Sequence, residues 1–290
     1  MKTYLDIVQR VLTEGEKKDD RTGTGTTAIA GAMFEHDMKQ GFPLLTTKKM
    51  PFSMVASELE FFIKGITDKQ WLQQRKNSIW NEWANPEKAP YGHDEQSKQK
   101  MLDERDLGPV YGFQWRNYNA PYENWDSNYT GQGVDQLARV LETLKTNPSD
   151  RRMIVMAWNP IQMNKMALPP CHYGFQVTVI HGRLNLMWNQ RSVDVMLGLP
   201  FNIASYALLL HLLAKETGYE EGKLIGFLGD VHIYSNHADG AREQLSRNPN
   251  QYPLCRVDTD PFTSIFDWEY THSKRVSYES HPGISFPIAV

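Results

Sequence analysis

One stretch of the chain, residues 202–218, is apolar around nearly its whole helical circumference. A surface helix keeps one polar side, whereas a helix that is apolar all round belongs inside a protein core. Its most apolar part, residues 204–214, is interrupted by Ser205, Tyr206 and His211 and is too short to span a bilayer. The sequence therefore predicts a fold built around one buried central helix.

Hydrophobic periodicity elsewhere predicts a mixture of helices and strands. Further helices are expected over residues 1–14, 54–63 and 136–144, and strands over residues 28–34, 153–158, 175–180 and 184–190. Residues 153–158 are apolar throughout, which is typical of a central strand, and His181 with Gly182 suits a two-residue hairpin turn. Residues 84–133 are rich in Asn, Pro, Gly, Tyr and charge, and we expect a partly ordered insertion there. Because no repeat or linker divides residues 1–290, the pattern indicates a single α+β domain.

Composition excludes several functional classes. The net charge of -3, from 31 basic and 34 acidic residues, argues against a general nucleic-acid or membrane-surface binder. The two cysteines, Cys171 and Cys255, lie far apart, which is unlike a disulfide scaffold and suits a reducing compartment. The first residues carry no apolar secretory run. We therefore expect a globular cytoplasmic protein.

Cys171 is the first candidate for chemistry. Pro169 and Pro170 directly precede it, and the predicted return strand brings Arg191 near it. Prolines fix the backbone dihedral angles, and a nearby guanidinium should lower the thiol pKa and raise the reactive thiolate fraction. The alternative is a buried small hydrophobic residue, which is what most lone cysteines are.

Arginines form a second pattern, and they recur beside polar loops. Arg21 lies in a Gly/Thr loop, Arg151 and Arg152 open a predicted strand, and Arg191 is followed by Ser192. Guanidinium groups with a hydroxyl bind a phosphate dianion through charge-assisted hydrogen bonds. Solvated surface charge is the alternative for any one of them.

Three further patterns indicate recognition of a nucleotide. The carboxamide of Asn202 can match the amide edge of uracil, although asparagine is also a common N-cap. His232 and Tyr234 alternate along an extended segment and share one face; a clamp on a sugar hydroxyl fits them better than a metal site, which would need more ligands. Trp80 and Trp83, three residues apart on a helix face, could stack on a heterocycle or simply pack in the core.

In chain order, these motifs match one family. The matching stretches are residues 20–26, 42–49, 79–84, 108–112, 149–152, 167–172, 190–192, 197–206, 229–234, 281–283 and 289–290. Along nearly its whole length the chain resembles thymidylate synthase. The resemblance implies a homodimeric α+β enzyme with a large mixed twisted sheet. It also implies methylation of dUMP at C5, with 5,10-methylenetetrahydrofolate as the one-carbon and hydride donor and with no metal, membrane or nucleic acid required.

The resemblance also implies a role for each matching residue. Cys171 would add to uracil C6, Glu58 would transfer protons through water, and Tyr111 would help to remove the C5 proton. The phosphate and nucleoside would be bound by Arg21, Gln190, Arg191, Ser192, Asn202, His232 and Tyr234, with Arg151 and Arg152 donated by the second subunit. The folate side would comprise Lys48, Ile79, Trp80, Trp83, Asp194, Leu197, Gly198, Phe201 and Val290. In this set Asp194 would meet the pterin, and Lys48 would face the glutamate tail.

Three positions depart from the family pattern. Glu60 stands at an expected leucine, residues 66–68 replace Asp-Thr-Asn, and Asn189 stands where an aromatic residue is common. They leave open a dUMP hydroxymethylase, in which water captures the one-carbon intermediate. Trp80 and Val290 favour a water-excluding site and hence reduction, and Asn202 argues against a cytosine substrate. A silent nucleotide- or RNA-binding homologue is a third hypothesis, against which the intact Cys171 argues.

Overall fold

A computed structural model describes residues 1–20 and 22–288. Its helices are α1 (Lys2–Glu14), α2 (Phe52–Ile63), α3 (Lys69–Gln74), α4 (Glu95–Asp103), α5 (Gly112–Asn117), α6 (Gln136–Thr146), α7 (Gly198–Thr217) and α8 (Ala238–Ser246). Its strands are β1 (Glu16–Lys18), β2 (Thr26–Asp37), β3 (Ile154–Met156), β4 (His172–Ile180), β5 (Arg183–Asp194), β6 (Glu220–Tyr234), β7 (Arg256–Thr259) and β8 (Ser273–Val276). Short 3₁₀ turns cover Met38–Gln40, Met163–Lys165, Ser235–His237 and Tyr270–His272. None of the helices in these described ranges is long and apolar enough to cross a membrane.

The main sheet has six strands in the order β1-β2-β6-β5-β4-β3. Strands β5 and β6 are parallel, and the other neighbours are antiparallel, so the sheet is mixed. The hairpin between β4 and β5 turns at His181 and Gly182, whose φ angles of 50° and 73° are those of a type I′ turn. This α+β architecture confirms the predicted fold class, while β7 and β8 form a separate two-stranded ribbon.

The predicted central helix is α7. It begins at Gly198, four residues before the predicted start, and thirteen of its twenty residues are buried. Gly218 ends it in the left-handed conformation at φ 75°, which a glycine adopts without steric cost. Helix α7 packs against α2 and against strands β5 and β6, so the core lies between the sheet and the helices.

Two sequence predictions need correction. Residues 153–158 contain only the short strand β3, which lies at the edge of the sheet, and Ile154 is 45% exposed. The prediction of a central strand is therefore wrong. An apolar run indicates that its side chains are buried, as Met153 and Ala157 are here, but it does not indicate how many strands lie beside it. Residues 84–133 are also more ordered than expected, since they include α4, α5 and the fully buried Asp106.

Candidate active site

Cys171 lies directly before β4, with Arg191 of the neighbouring strand beside it. The backbone N–H of Arg191 donates to the Cys171 carbonyl at 2.8 Å. The guanidinium donates to the carbonyls of Pro169 at 2.8 Å and Pro170 at 3.0 Å. Because prolines keep their carbonyl oxygens but have no N–H, this pair is a fixed acceptor for the arginine fork. The structure therefore brings Cys171 and Arg191 together, as the sequence predicted.

The electrostatic consequence differs from the prediction. Burial raises the pKa of the Cys171 thiol, and the opposing influences of Arg191 and of the Tyr111 hydroxyl do not overcome it. A buried thiolate loses its hydration, and a single neighbouring cation restores only part of that free energy. The expected lowering of the thiol pKa is therefore wrong for the single chain.

Tyr111 is held tightly against Cys171. Its hydroxyl oxygen accepts a hydrogen bond from the Cys171 backbone N–H at 2.8 Å, and its ring packs on Phe62 and His172 at centroid distances of 5.0 and 4.4 Å. Its backbone has a φ of 23°, a strained value for a bulky residue. Burial raises the Tyr111 pKa, so its hydroxyl stays protonated and can donate as well as accept.

Glu58 and Trp80 form a buried pair on the other side of Tyr111. The Trp80 indole donates to Glu58 Oε1 at 2.9 Å, and its ring meets Tyr111 edge-on at 5.8 Å. Burial raises the pKa of Glu58 to about 7, although the Trp80 hydrogen bond opposes the shift. A carboxyl group with a pKa near neutrality can both accept and release a proton under the same conditions.

The predicted helix face shared by Trp80 and Trp83 is wrong. Residues 79–82 form turns, so the two side chains are not held in helical register. Trp83 stacks on Tyr91 of the 84–133 segment with a centroid distance of 6.1 Å, whereas the Trp80 indole donates a hydrogen bond to Glu58. Asn77, whose side chain accepts from the Ile79 backbone N–H at 3.1 Å, stabilises the turn instead.

Asn202 lies inside α7, so the N-cap alternative is wrong. The N-cap position is Leu197, and the loop before it is closed by Asp194 Oδ1, which accepts from the backbone N–H groups of Met196 and Leu197 at 3.0 and 3.1 Å. The Asn202 Oδ1 accepts from Gln190 Nε2 at 3.0 Å. This carboxamide is therefore held by a side chain of strand β5.

His232 and Tyr234 share one face at the end of β6, as predicted. Their rings meet at 5.3 Å, and His232 Nδ1 lies 3.0 Å from Asp230 Oδ1. The parallel register places His232 beside Asp194, and Asp230 beside Ser192. The ends of β5 and β6 thus bring the predicted sugar and phosphate residues to one edge of the Cys171 cluster.

A family model described as thymidylate synthase matches residues 2–290. The chain belongs to the thymidylate synthase family. The match covers every motif on which the resemblance was based. Thymidylate synthases transfer a one-carbon unit from methylenetetrahydrofolate to C5 of a pyrimidine nucleotide, so the Cys171 thiol lies in the fold of a methyltransferase of dTMP biosynthesis.

Two of the predicted phosphate-binding residues, Arg151 and Arg152, lie at the protein surface. Arg151 and Arg152 are exposed, and Arg152 donates to both carboxylate oxygens of Asp150, which lowers the Asp150 pKa to about 2. Arg21 and Val290, two further predicted site residues, lie outside the described residues. The structure thus brings Cys171, Arg191 and Asn202 to one region of the chain and leaves Arg151 and Arg152 on its surface.

Three of the predicted folate residues, Lys48, Leu197 and Gly198, lie near Asp194. Lys48 is buried, donates to the Met196 carbonyl and lies 4.9 Å from the Phe286 ring centroid. Burial lowers the Lys48 pKa to about 8, partly offset by Asp194. Gly198 lies between Asp194 and Asn202, and a Cβ added there would be in ordinary van der Waals contact with both side chains, at 3.7 and 3.8 Å. Ile79, Leu197 and Phe201 are partly buried against the core.

The unusual Glu60 has partners of its own. One carboxylate oxygen pairs with Lys64 at 2.5 Å, and the other accepts from the Tyr270 backbone N–H at 3.0 Å. Glu60 therefore links α2 to the 3₁₀ turn Tyr270–His272. Glu58, on the same helix, contacts Trp80 in the candidate site. Among the described residues, no cluster of three or more His, Cys, Asp or Glu side chains is arranged to hold a metal ion.

Proposed function

We propose that this protein is a thymidylate synthase that converts dUMP to dTMP with 5,10-methylenetetrahydrofolate. The observation that carries the proposal is the cluster in which Cys171 lies between the Arg191 guanidinium and the Tyr111 hydroxyl. A fixed nucleophile, a cation and a protonated hydroxyl are what covalent addition to a pyrimidine ring requires.

In the proposed reaction the Cys171 sulfur bonds to uracil C6, and the electron pair of the C5–C6 double bond moves towards C5 and O4. Arg191 stabilises the thiolate as it forms, which offsets part of the cost of burying it. The Asn202 amide donates to O4 and stabilises the enolate charge. Glu58, with its pKa near 7, relays protons through water, and Tyr111 helps to remove the C5 proton.

The folate co-substrate supplies the one-carbon unit and the hydride when it is bound. The donor set near Asp194 suits it, since a carboxylate can pair with the amino-pyrimidine part of a pterin, and the Lys48 ammonium can attract a glutamate carboxylate. Trp80 covers Glu58 with its indole and limits the access of water. Exclusion of water favours hydride transfer, hence methylation over hydroxymethylation.

We further propose that two copies associate through the outer face of the sheet. Met33 and Phe227, neighbours across β2 and β6, are 53% and 47% exposed, and Ile180 at the end of β4 is 56% exposed. The register places Ile154 of β3 on this same face. Contiguous exposed apolar side chains are typical of an interaction surface.

Association through this face would place Arg151 and Arg152 of one copy near the active site of the other. Gln176, on this face of β4, donates to the Arg151 carbonyl at 3.0 Å, so residues 151–152 border the proposed interface. A subunit carrying Cys171→Ala, mixed with one carrying Arg151→Ala and Arg152→Ala, should regain about a quarter of wild-type activity by random pairing of symmetric dimers. Monomeric behaviour in sedimentation, or no recovery after mixing, would contradict the arrangement.

The decisive test of the chemistry is covalent trapping. Incubation with 5-fluoro-dUMP and methylenetetrahydrofolate should give an adduct at Cys171 that mass spectrometry detects, and Cys171→Ala should form none. Cys255→Ala is the matched control, because Cys255 is buried, has its pKa raised to about 11, and should not affect trapping. Both thiols are free, which suits the reducing cytoplasm where we place this enzyme.

Product analysis then separates the remaining functions. With dUMP as substrate we expect dTMP and dihydrofolate. Formation of dihydrofolate can also be followed by the rise in absorbance of the reaction mixture. Hydroxymethyl-dUMP with tetrahydrofolate would identify a hydroxymethylase instead. No adduct and no product would favour a silent nucleotide-binding homologue.

A further inference from the structure

Asn202 stands at the end of a three-residue relay of hydrogen bonds. The Trp188 indole N–H donates to Gln190 Oε1 at 3.1 Å, and Gln190 Nε2 donates to Asn202 Oδ1 at 3.0 Å. Gln190 Nε2 also donates to the Ser192 carbonyl at 3.0 Å. Trp188 is fully buried and Gln190 is 2% exposed, so solvent does not compete for these groups.

The relay has a fixed polarity because its first member can only donate. An indole nitrogen has no acceptor capacity, so the Gln190 oxygen must face Trp188. The Ser192 carbonyl can only accept, which places the Gln190 amino group on the opposite side. The oxygen of Asn202 must then turn towards Gln190, and its amino group must lie on the other side.

We propose that Trp188 is a specificity-determining positioning residue that sets Asn202 to read uracil and to reject cytosine. Uracil offers a donor at N3 and an acceptor at O4, whereas cytosine offers an acceptor at N3 and a donor at its 4-amino group. Rotating the Asn202 amide by 180° exchanges its acceptor and donor positions, so a side chain that matches uracil would then match cytosine. This inference rests on the proposed role of Asn202 in binding the base.

The surroundings of Trp188 prevent it from turning away. Its ring stacks on Tyr206 at 5.4 Å with an interplanar angle of 11°, and Phe34 lies 5.8 Å from it. On the sheet side it lies on Gly226, where an added Cβ would come within 2.4 Å of the indole. Tyr206 is itself anchored, since its hydroxyl lies 2.8 Å from His172 Nδ1. The donor of the relay is therefore held in place from several sides.

The test is the ratio of the dissociation constants of dCMP and dUMP for the full-length protein. Trp188→Phe removes the indole donor and keeps an aromatic ring, and it should lower this ratio about three- to tenfold, since a single neutral hydrogen bond controls the orientation. The loss is partial because the Ser192 carbonyl still aligns Gln190. A ratio that changes by less than about twofold, within ordinary variation of a surface substitution, would overturn the proposal.

Trp268→Phe is the matched control. Trp268 is also fully buried, and its indole donates at 3.0 Å to Ser273 Oγ, a residue of the separate ribbon. Its loss should lower stability and leave the ratio unchanged. An equal fall in both variants would show that general loosening of the core, and no relay, affects the ratio.

Gln190→Met alone keeps the relay testable if Trp188→Phe folds poorly. Gln190→Met removes both side-chain hydrogen bonds of the relay with little change in length, and it should lower the ratio at least as much. Where Trp188→Phe does fold, the double variant should show no further fall, because both changes act through one chain of bonds. Fully additive effects would overturn the relay.

Asn202→Asp separates failure of this inference from failure of the proposed function. If Asn202→Asp leaves the ratio unchanged, Asn202 does not read the base, and the assignment beneath the inference is wrong. If Asn202→Asp changes the ratio and Trp188→Phe does not, the base reader stands and the role of Trp188 alone is refuted.

Discussion

Glu58→Gln should make the folded protein more stable above pH 7 while removing most of its activity. Burial raises the Glu58 pKa from its ordinary 4.5 to about 7. Between these two values the folded protein retains a proton that the unfolded chain has already released. Its stability therefore falls as the pH rises, and the fall ends above pH 7.

The size of the effect follows from the same two values. Each pKa unit corresponds to about 1.4 kcal/mol, so ionisation of Glu58 costs the native state about 3 kcal/mol at pH 8. Glutamine carries no charge and keeps an oxygen that can accept from the Trp80 indole, so it removes this cost without opening a cavity. At pH 4.5 and below, where both residues are neutral, the gain should approach zero.

Urea unfolding at pH 5 and pH 8, at one fixed protein concentration, measures the difference. Glu60→Gln is a control on the same helix and should lower stability at pH 8 by about 1–3 kcal/mol, since it breaks the pair with Lys64. Turnover of Glu58→Gln should fall about 10²- to 10⁴-fold. An equal stability difference at both pH values would refute the assignment of a raised Glu58 pKa.

Two further predictions concern the groups around the thiol. Trp80→Phe removes the hydrogen bond that opposes the rise of the Glu58 pKa, so the inflection of the pH–rate profile near 7 should move up by about one to two pH units; an unmoved inflection would contradict the role of Trp80. Arg191→Met removes the cation that lowers the Cys171 pKa, so iodoacetamide at pH 8 should alkylate the thiol about tenfold more slowly. Peptide mapping would follow that reaction, and an unchanged alkylation rate would show that Arg191 does not stabilise the thiolate.

Much of the site could be predicted because its signals are local. The hairpin turn at His181 and Gly182 brings β5 back along β4, which is enough to place Arg191 beside Cys171. Alternation along β6 puts His232 and Tyr234 on one face. The all-round apolar pattern of residues 202–218 identified the buried helix. Each of these inferences depends on periodicity or on turn chemistry within a short segment.

The role of Trp188 was missed, although one signal was available. Trp188 and Gln190 are two residues apart on a strand and therefore lie on the same face, and an indole needs an acceptor when it is buried. What the sequence lacked was the position of Asn202 opposite Gln190, which depends on how α7 packs on the sheet.

The amino-acid sequence by itself determined the buried central helix, the β4–β5 hairpin, the α+β class and the family, because side-chain periodicity and ordered motifs are properties of neighbouring residues. The tertiary structure decided the edge position of β3, the separate partners of Trp80 and Trp83, and the rise rather than fall of the Cys171 pKa. Those outcomes depend on desolvation and on contacts between distant segments. The burial of a group depends on all the segments that pack around it, and a local sequence pattern does not specify those segments.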